Sequence, residues 1–215
     1  MFNTIFPKIH KEGYKFLALS ILATFIVLFF SKFVGSLFIL ITVWVYYFFR
    51  DPERFSINDD RYLVSPADGL ITDISEKSGP EELRLENTSF TRISVFMNVF
   101  NCHVNRIPTS GKIEEIFYKP GKFLNASLDK ASEDNERNYY KIKDIHGNEI
   151  IVVQIAGLIA RRIVCEVEQG QELKQGDRIG MIRFGSRADV YYENYQPLVK
   201  IGQKAISGET LLAKK

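Results

Sequence analysis

Two patterns divide the chain. From Phe16 to Ser31 no residue carries a charge, and after Lys32 a second uncharged run extends from Phe33 to Phe49. Beyond Arg50 the pattern changes to short alternations of apolar and polar residues broken by turn residues, the signature of strands half-buried in a sheet. As one helix, residues 16–49 would measure roughly 51 Å at 1.5 Å per residue, against a bilayer core of about 30 Å. Two helices turning within Ser31–Ser36 fit better, each reaching about 25 Å; a shallow re-entrant hairpin is the alternative geometry. Lys8, Lys11 and Lys15 precede the run and Arg50 and Arg54 follow it, the flanking expected of a hairpin with both ends cytoplasmic. Trp44, Tyr46 and Tyr47 sit where an interfacial aromatic belt belongs. A cleaved signal peptide fits poorly, because the apolar stretch is too long and no clear small-x-small site follows it. Residues 1–49 are therefore expected to be a membrane-anchoring helical hairpin. Residues 50–215 are expected to form one domain on the cytoplasmic side of the cell membrane.

The second part reads mostly as strands. Tyr62–Val64 precedes a turn at Ser65-Pro66-Ala67-Asp68-Gly69. Strand patterns follow at Leu70–Ile74, Thr91–Val99, Lys112–Tyr118, Tyr139–Ile145, Glu149–Ile155 and Ile163–Val167, with His146-Gly147-Asn148 as a hairpin tip. Leu124–Glu136 alone reads as helical or irregular. The fold class expected is mainly β, a barrel or sandwich with few helices, behind the apolar hairpin. Within it, Gly170 and Gly176-Asp177, followed by Ile179-Gly180-Met181-Ile182, predict two strands around a glycine-punctuated turn. That segment resembles the hammerhead fold of biotinyl and lipoyl carriers, but the modifiable lysine those carriers present at a hairpin tip is missing.

Composition narrows the function classes. With 28 basic and 26 acidic residues the net charge is +2, so the global basic excess of a nucleic-acid binder is absent. The mean hydropathy of −0.08 averages two unlike halves. Two cysteines, Cys102 and Cys165, are too few for a disulfide scaffold or for a structural zinc site by themselves; buried apolar thiols are expected. No metal site is expected, and no phosphate-cradling Gly-x-x-x-x-Gly-Lys loop is present.

The candidate chemistry lies in four segments. These are Ser65–Gly69, Met97–Pro108 with Gly111-Lys112-Ile113 after it, Gln154–Val164, and Arg183-Phe184-Gly185-Ser186-Arg187. A Gly-Ser pair alone reads as a turn. Ser186 lacks the Gly-x-Ser-x-Gly elbow of a serine hydrolase. His103 is the one histidine inside a segment of this kind; His10 precedes the apolar run and His146 sits in the hairpin tip.

In this order, behind an apolar hairpin ending in Phe48-Phe49-Arg50-Asp51-Pro52-Glu53-Arg54, the segments closely resemble the short form of the phosphatidylserine decarboxylase proenzyme family, most clearly over about residues 45–200. The resemblance implies a precursor that cuts itself at Gly185-Ser186, giving a β chain of residues 1–185 and an α chain of 186–215. Residue 186 becomes a covalent pyruvoyl group, the cofactor, which takes up the substrate amine and accepts the electrons released as CO2 departs. Ser186 is then the nucleophile of self-cleavage, His103 the proton carrier and Asp68 the group that orients it. Longer family members carry His-x-x-His here; this chain reads His103-Val104-Asn105-Arg106, so the Asp-His-Ser triad does not transfer intact. Either His103 serves both cleavage and decarboxylation, or Asp68 acts without a relay. Arg106, Arg161 and Arg162, with Arg183 and Arg187, are candidates for the phosphodiester and carboxylate of a phospholipid substrate held in the membrane. A homo-oligomer is left open. The competing reading, an uncleaved anchored β-domain that binds lipid or a partner, predicts a single chain of 24.8 kDa.

Overall fold

The computed structural model describes residues 6–124, 134–158, 162–183 and 185–215. It divides into two compact units, Met1–Glu53 and Arg54–Lys215.

In the first unit, β1 (Lys8–Ile9), a 3-10 turn at Lys11–Gly13, α1 (Tyr14–Phe30), α2 (Lys32–Phe48) and β2 (Arg50–Asp51) follow in order. The helices turn at Ser31 alone, which is extended at φ −151°, ψ 115°. This is tighter than the six residues expected. Ser31 Oγ accepts from the Val34 amide at 3.4 Å, capping α2, so Lys32–Ser36 continue as helix. Gly35 permits the closeness: a β carbon there would lie 2.4 Å from Leu28 Cδ2. Thr24 Oγ1 and Thr42 Oγ1, 2.9 Å apart, join the helices further down. β1 pairs antiparallel with β2, Lys8 opposite Asp51 and Ile9 opposite Arg50, so the chain enters and leaves the hairpin at one end. Large apolar side chains point outward, Phe25 at 69% and Leu40 at 66% exposure. Lys11–Phe30 is long and apolar enough to cross a membrane, and Lys32–Phe48 is a shorter apolar helix.

The second unit holds β3 (Tyr62–Val64), β4 (Gly69–Ser78), β5 (Ser89–Met97), β6 (Val104–Arg106), β7 (Gly111–Lys119), β8 (Arg137–Asp144), β9 (Glu149–Ala156) and β10 (Arg162–Cys165). It continues with β11 (Glu172–Leu173), β12 (Arg178–Arg183), β13 (Ser186–Tyr192), β14 (Gln196–Pro197), β15 (Lys204–Ala205) and β16 (Leu211–Lys214). Eight strands form one curled half-barrel sheet in the order β11-β7-β8-β9-β13-β5-β4-β15; β10-β12-β6 and β14-β16-β3 form two smaller sheets. The fold is mainly β, as expected. The glycine-punctuated segment forms the two strands expected, β11 and β12, with Gly176 between them at φ +86°. Residues 125–133 of the Leu124–Glu136 stretch lie outside the described residues. Cys102 is buried; Cys165, contrary to expectation, is exposed, at the end of β10, where the strand runs out from the core.

The main core lines one face of the sheet with Ile71, Val95, Met97, Ile142, Val152, Ala188 and Val190. A smaller cluster of Leu83, Phe90, Tyr139, Ile151, Val153 and Tyr191 covers the other. β13 is therefore buried on both faces, all seven residues included. Its two charges neutralise each other: Arg187 and Asp189, two apart and so on one face, make a forked ion pair at 2.8 and 2.9 Å.

Candidate functional site

The site is built where β13 begins. Ser186 lies between two strands, opposite Met97 of β5 and Ala156 of β9, and is fully buried. Gly185, just before it, has φ +41°, in the region that L side chains avoid. The Ser186 hydroxyl reaches the Met97 sulfur at 3.7 Å, a weak acceptor. Asn135 Nδ2 donates to the Ala156 carbonyl at 2.6 Å, fixing the end of β9 beside it.

His103 precedes β6 and is fully buried. Its carbonyl accepts from the Ile182 amide of β12 at 3.3 Å, which sets it beside the strand that leads into Gly185. Its Nδ1 lies 3.0 Å from the Asn101 carbonyl. A carbonyl only accepts, so the ring proton sits on Nδ1 and the basic lone pair on Nε2.

Asp68 occupies the turn before β4. Its Oδ2 accepts from Arg54 Nη2 at 2.8 Å and its Oδ1 from the Ser207 amide at 2.8 Å, so its charge is balanced and its turn is fixed. The same turn offers the Pro66 carbonyl to the Arg106 amide at 2.9 Å, to Asn105 Nδ2 at 3.3 Å and to Ser207 Oγ at 3.0 Å. Gly69 closes it against β5: a β carbon would fall 2.2 Å from the Phe96 carbonyl oxygen. The Asp68 turn, the His103–Arg106 segment and Ser186 are thus joined through Pro66, Asn105 and Met97.

The arginines separate. Arg106 is buried and donates to the Gly176 carbonyl at 2.7 Å, a contact that holds the β11–β12 turn. Arg187 is committed to Asp189. Arg162 and Arg183 face each other across β10 and β12, at the end of β12 nearest Gly185. Arg161 lies outside the described residues. Among the described residues no group of three His, Cys, Asp or Glu side chains could hold a metal ion.

Sequence reasoning passed over Met97, Asn105, Gln154 and Arg54 as individual residues. Asn105 Nδ2 also approaches the Met97 sulfur, at 3.6 Å, and its Oδ1 accepts from Gln154 Nε2 at 2.8 Å. The signal for Gln154 is visible in the chain: it is the one polar residue in Ile150-Ile151-Val152-Val153-Gln154-Ile155-Ala156.

The chain is similar to known proteins over its whole length. Residues 41–213 match the family model described as phosphatidylserine decarboxylase. A phosphatidylserine decarboxylase proenzyme of Pelagibacter ubique (strain HTCC1062) is 69% identical over 215 residues, 100% of both chains. One of Cereibacter sphaeroides (strain ATCC 17025 / ATH 2.4.3) is 51% identical over 214 residues, covering 99% of this chain and 92% of the other. One of Rickettsia akari (strain Hartford) is 50% identical over 213 residues, with 99% and 92% covered. With a serine buried behind a left-handed glycine at the head of its central strand, and with likeness of this extent, the chain belongs to the phosphatidylserine decarboxylase family.

Proposed function

We propose that the chain is made as a proenzyme, cuts itself between Gly185 and Ser186, and then decarboxylates phosphatidylserine to phosphatidylethanolamine at a bilayer surface. The observation that carries the reading is the Gly185–Ser186 junction. A glycine at positive φ, with no neighbour among the described residues beyond those next in the chain where a β carbon would be, leads into a buried serine whose backbone is pinned by strands on both sides. This geometry suits attack of Ser186 Oγ on the Gly185 carbonyl carbon, since the strand holds residue 186 while glycine tolerates the positive φ at 185. In that attack an O–C bond forms and the peptide C–N bond breaks, giving an ester. Elimination breaks the Oγ–Cβ bond, and the oxygen leaves with the Gly185 carboxylate. The remaining dehydroalanine becomes an imine, which takes up water and loses ammonia. The residue-186 fragment suits a pyruvoyl group because β5 and β9 hold its backbone on both sides. When formed, that group supplies an electrophilic ketone and an electron sink.

The residues of the chain do the rest. His103 Nε2 takes the hydroxyl proton during cleavage and delivers a proton to the substrate carbon during turnover. Asp68 is a positioning residue that acts through its turn. Arg162 and Arg183 bind the phosphodiester and carboxylate of the headgroup, with Arg161 assigned to the same task from sequence alone. The hairpin of the first unit lies in the bilayer with both ends on the cytoplasmic side, since its outward apolar surface requires a lipid environment. The α and β chains stay together as one enzyme.

The test is intact mass. Wild-type protein gives two chains, 1–185 and 186–215, the second reacting with a carbonyl reagent; Ser186→Ala stays at 24.8 kDa and releases no CO2 from phosphatidylserine vesicles. A free amino group on the 186–215 fragment, or cleavage at the same bond in Ser186→Ala, overturns the reading.

A further inference from the structure

Tyr140, Gln154 and Asn105 are each fully buried, and Tyr140 belongs to the main hydrophobic core. Buried polar groups are costly unless bonded, and these three form one line. Its polarity can be deduced from one end. The Pro66 carbonyl only accepts, so it must face the amide nitrogen of Asn105, at 3.3 Å. The same nitrogen faces the Met97 sulfur at 3.6 Å. Asn105 Oδ1 is thereby turned away and accepts from Gln154 Nε2 at 2.8 Å. Gln154 Oε1 in turn accepts from the Tyr140 hydroxyl at 2.7 Å, the shorter arm of a donation shared with the Ile179 carbonyl at 3.1 Å. Burial pushes that hydroxyl well above the usual phenol range, so it stays protonated and can donate. Each amide has one orientation compatible with its neighbours. The line ends on the Met97 sulfur, which Ser186 Oγ also approaches, at 3.7 Å.

We propose that Asn105 is a positioning residue for self-cleavage: its oriented amide N–H holds the Met97 sulfur beside residue 186, so that the serine hydroxyl rests on a weak acceptor close to the Gly185 carbonyl. The proposal rests on the cleavage reading above. The physical point is the choice of acceptor. A hydroxyl resting on a backbone carbonyl or a carboxylate must give up a strong hydrogen bond before it attacks; resting on a thioether it gives up a weak one. Yet a thioether on a flexible side chain does not keep its place unaided. Asn105 supplies the missing restraint, and Gln154 and Tyr140 keep Asn105 from turning over. Asn105 touches neither the bond that forms, Oγ to the Gly185 carbonyl carbon, nor the bond that breaks, Gly185 C to Ser186 N. It acts through Met97.

The experiment follows conversion of freshly made full-length precursor, in detergent micelles, on denaturing gels, with and without hydroxylamine, which cleaves the ester as soon as it forms. Asn105→Leu keeps the bulk and removes the donor; conversion is expected to slow at least tenfold and to stay slow in hydroxylamine, because the step lost precedes the ester. Combined with Met97→Leu, it should be no slower than Asn105→Leu alone, since both remove one linkage. Melting curves taken in the uncleavable Ser186→Ala background report folding separately. If Asn105→Leu melts much lower there, Gln154→Leu decides instead, because it frees the Asn105 amide without touching Met97 or Ser186, and the same slowing is expected. Conversion at the wild-type rate in the variant that folds, recovery of the rate by hydroxylamine, or additive slowing in the double variant overturns the proposal. A wild-type chain that never converts overturns the cleavage reading and this inference with it.

Discussion

Replacing Gly185 by alanine isolates the backbone contribution to self-cleavage. Gly185 sits at φ +41°, and among the described residues nothing beyond its chain neighbours lies within 4 Å of the place a β carbon would take. Among those residues alanine meets no neighbour, so its penalty is taken as conformational. Holding an L residue in the left-handed region costs about 1–2 kcal/mol. In the resting precursor Gly185→Ala is free to relax toward negative φ. The attack by Ser186 alters bonds at the Gly185 carbonyl and leaves the φ torsion of residue 185 untouched, so the reacting geometry still demands the positive value. The penalty then falls on the barrier, and at about 1.4 kcal/mol per decade it predicts conversion slowed about 5- to 30-fold. Gly185→Asn separates this from crowding at the carbonyl. Asparagine carries the same β carbon but tolerates positive φ far better, so it should convert faster than the alanine variant. The assay is the first-order rate of appearance of the 186–215 chain. Alanine converting as fast as glycine, or asparagine slower than alanine, refutes the reasoning; faster conversion in alanine would mean that the strain is released on the way to the ester.

Three further outcomes follow from the structure. His103→Ala should lower decarboxylation of phosphatidylserine vesicles about 10²- to 10⁴-fold per cleaved molecule; full activity in the cleaved fraction removes His103 from the mechanism. Phe25→Asp and Leu40→Asp, at outward positions, should each weaken membrane partitioning by about 2.5–3.5 kcal/mol if the hairpin crosses the bilayer centre, and unchanged partitioning in flotation assays argues for another anchor. Burial pushes the Asp144 carboxyl up, but hydrogen bonds from the Asn148 side chain and amide, the His146 amide and the Tyr195 hydroxyl outweigh it and leave it below the ordinary 3.8. Its stabilising contribution is therefore complete above that pH and disappears as pH falls through the lowered value. Asp144→Ala should cost about 1–3 kcal/mol at pH 7 and progressively less in acid, and a penalty independent of pH in denaturant titrations contradicts this.

The parts legible in the sequence are those governed by local pattern. β3, β4, β5, β7, β8, β9 and β10 were visible as runs of alternation or β-branched residues, and the apolar hairpin as two uncharged runs. The central strand was not. β13 reads Ser-Arg-Ala-Asp-Val-Tyr-Tyr, and charges at its second and fourth positions suggest solvent. The fork between Arg187 and Asp189 is what makes their burial tolerable, and pairing of this kind is invisible until the strand is placed. At the site, Gly185 and Ser186 stood out through their order among other segments, whereas the link from Asn105 to Met97 joins residues whose proximity only strand pairing creates. Arg106 is a substrate-ligand candidate because a guanidinium suits a phosphodiester or carboxylate; that it also donates to the Gly176 carbonyl, 70 residues away, could not be read from the sequence.

Strand β13 lies between β9 and β5, β15 pairs with β4, and β16 pairs with β3, so everything after residue 185 is woven into what precedes it. If the chain is cut at Gly185–Ser186 as proposed, these contacts hold two separate polypeptides. The native shape is then remembered by the assembly but no longer encoded in a single connected string. A mature molecule that is fully melted must find a partner before it can rebuild its sheet, and its recovery on cooling becomes dependent on concentration. On that reading the precursor folds as one continuous chain, and the product inherits strand pairings that join two.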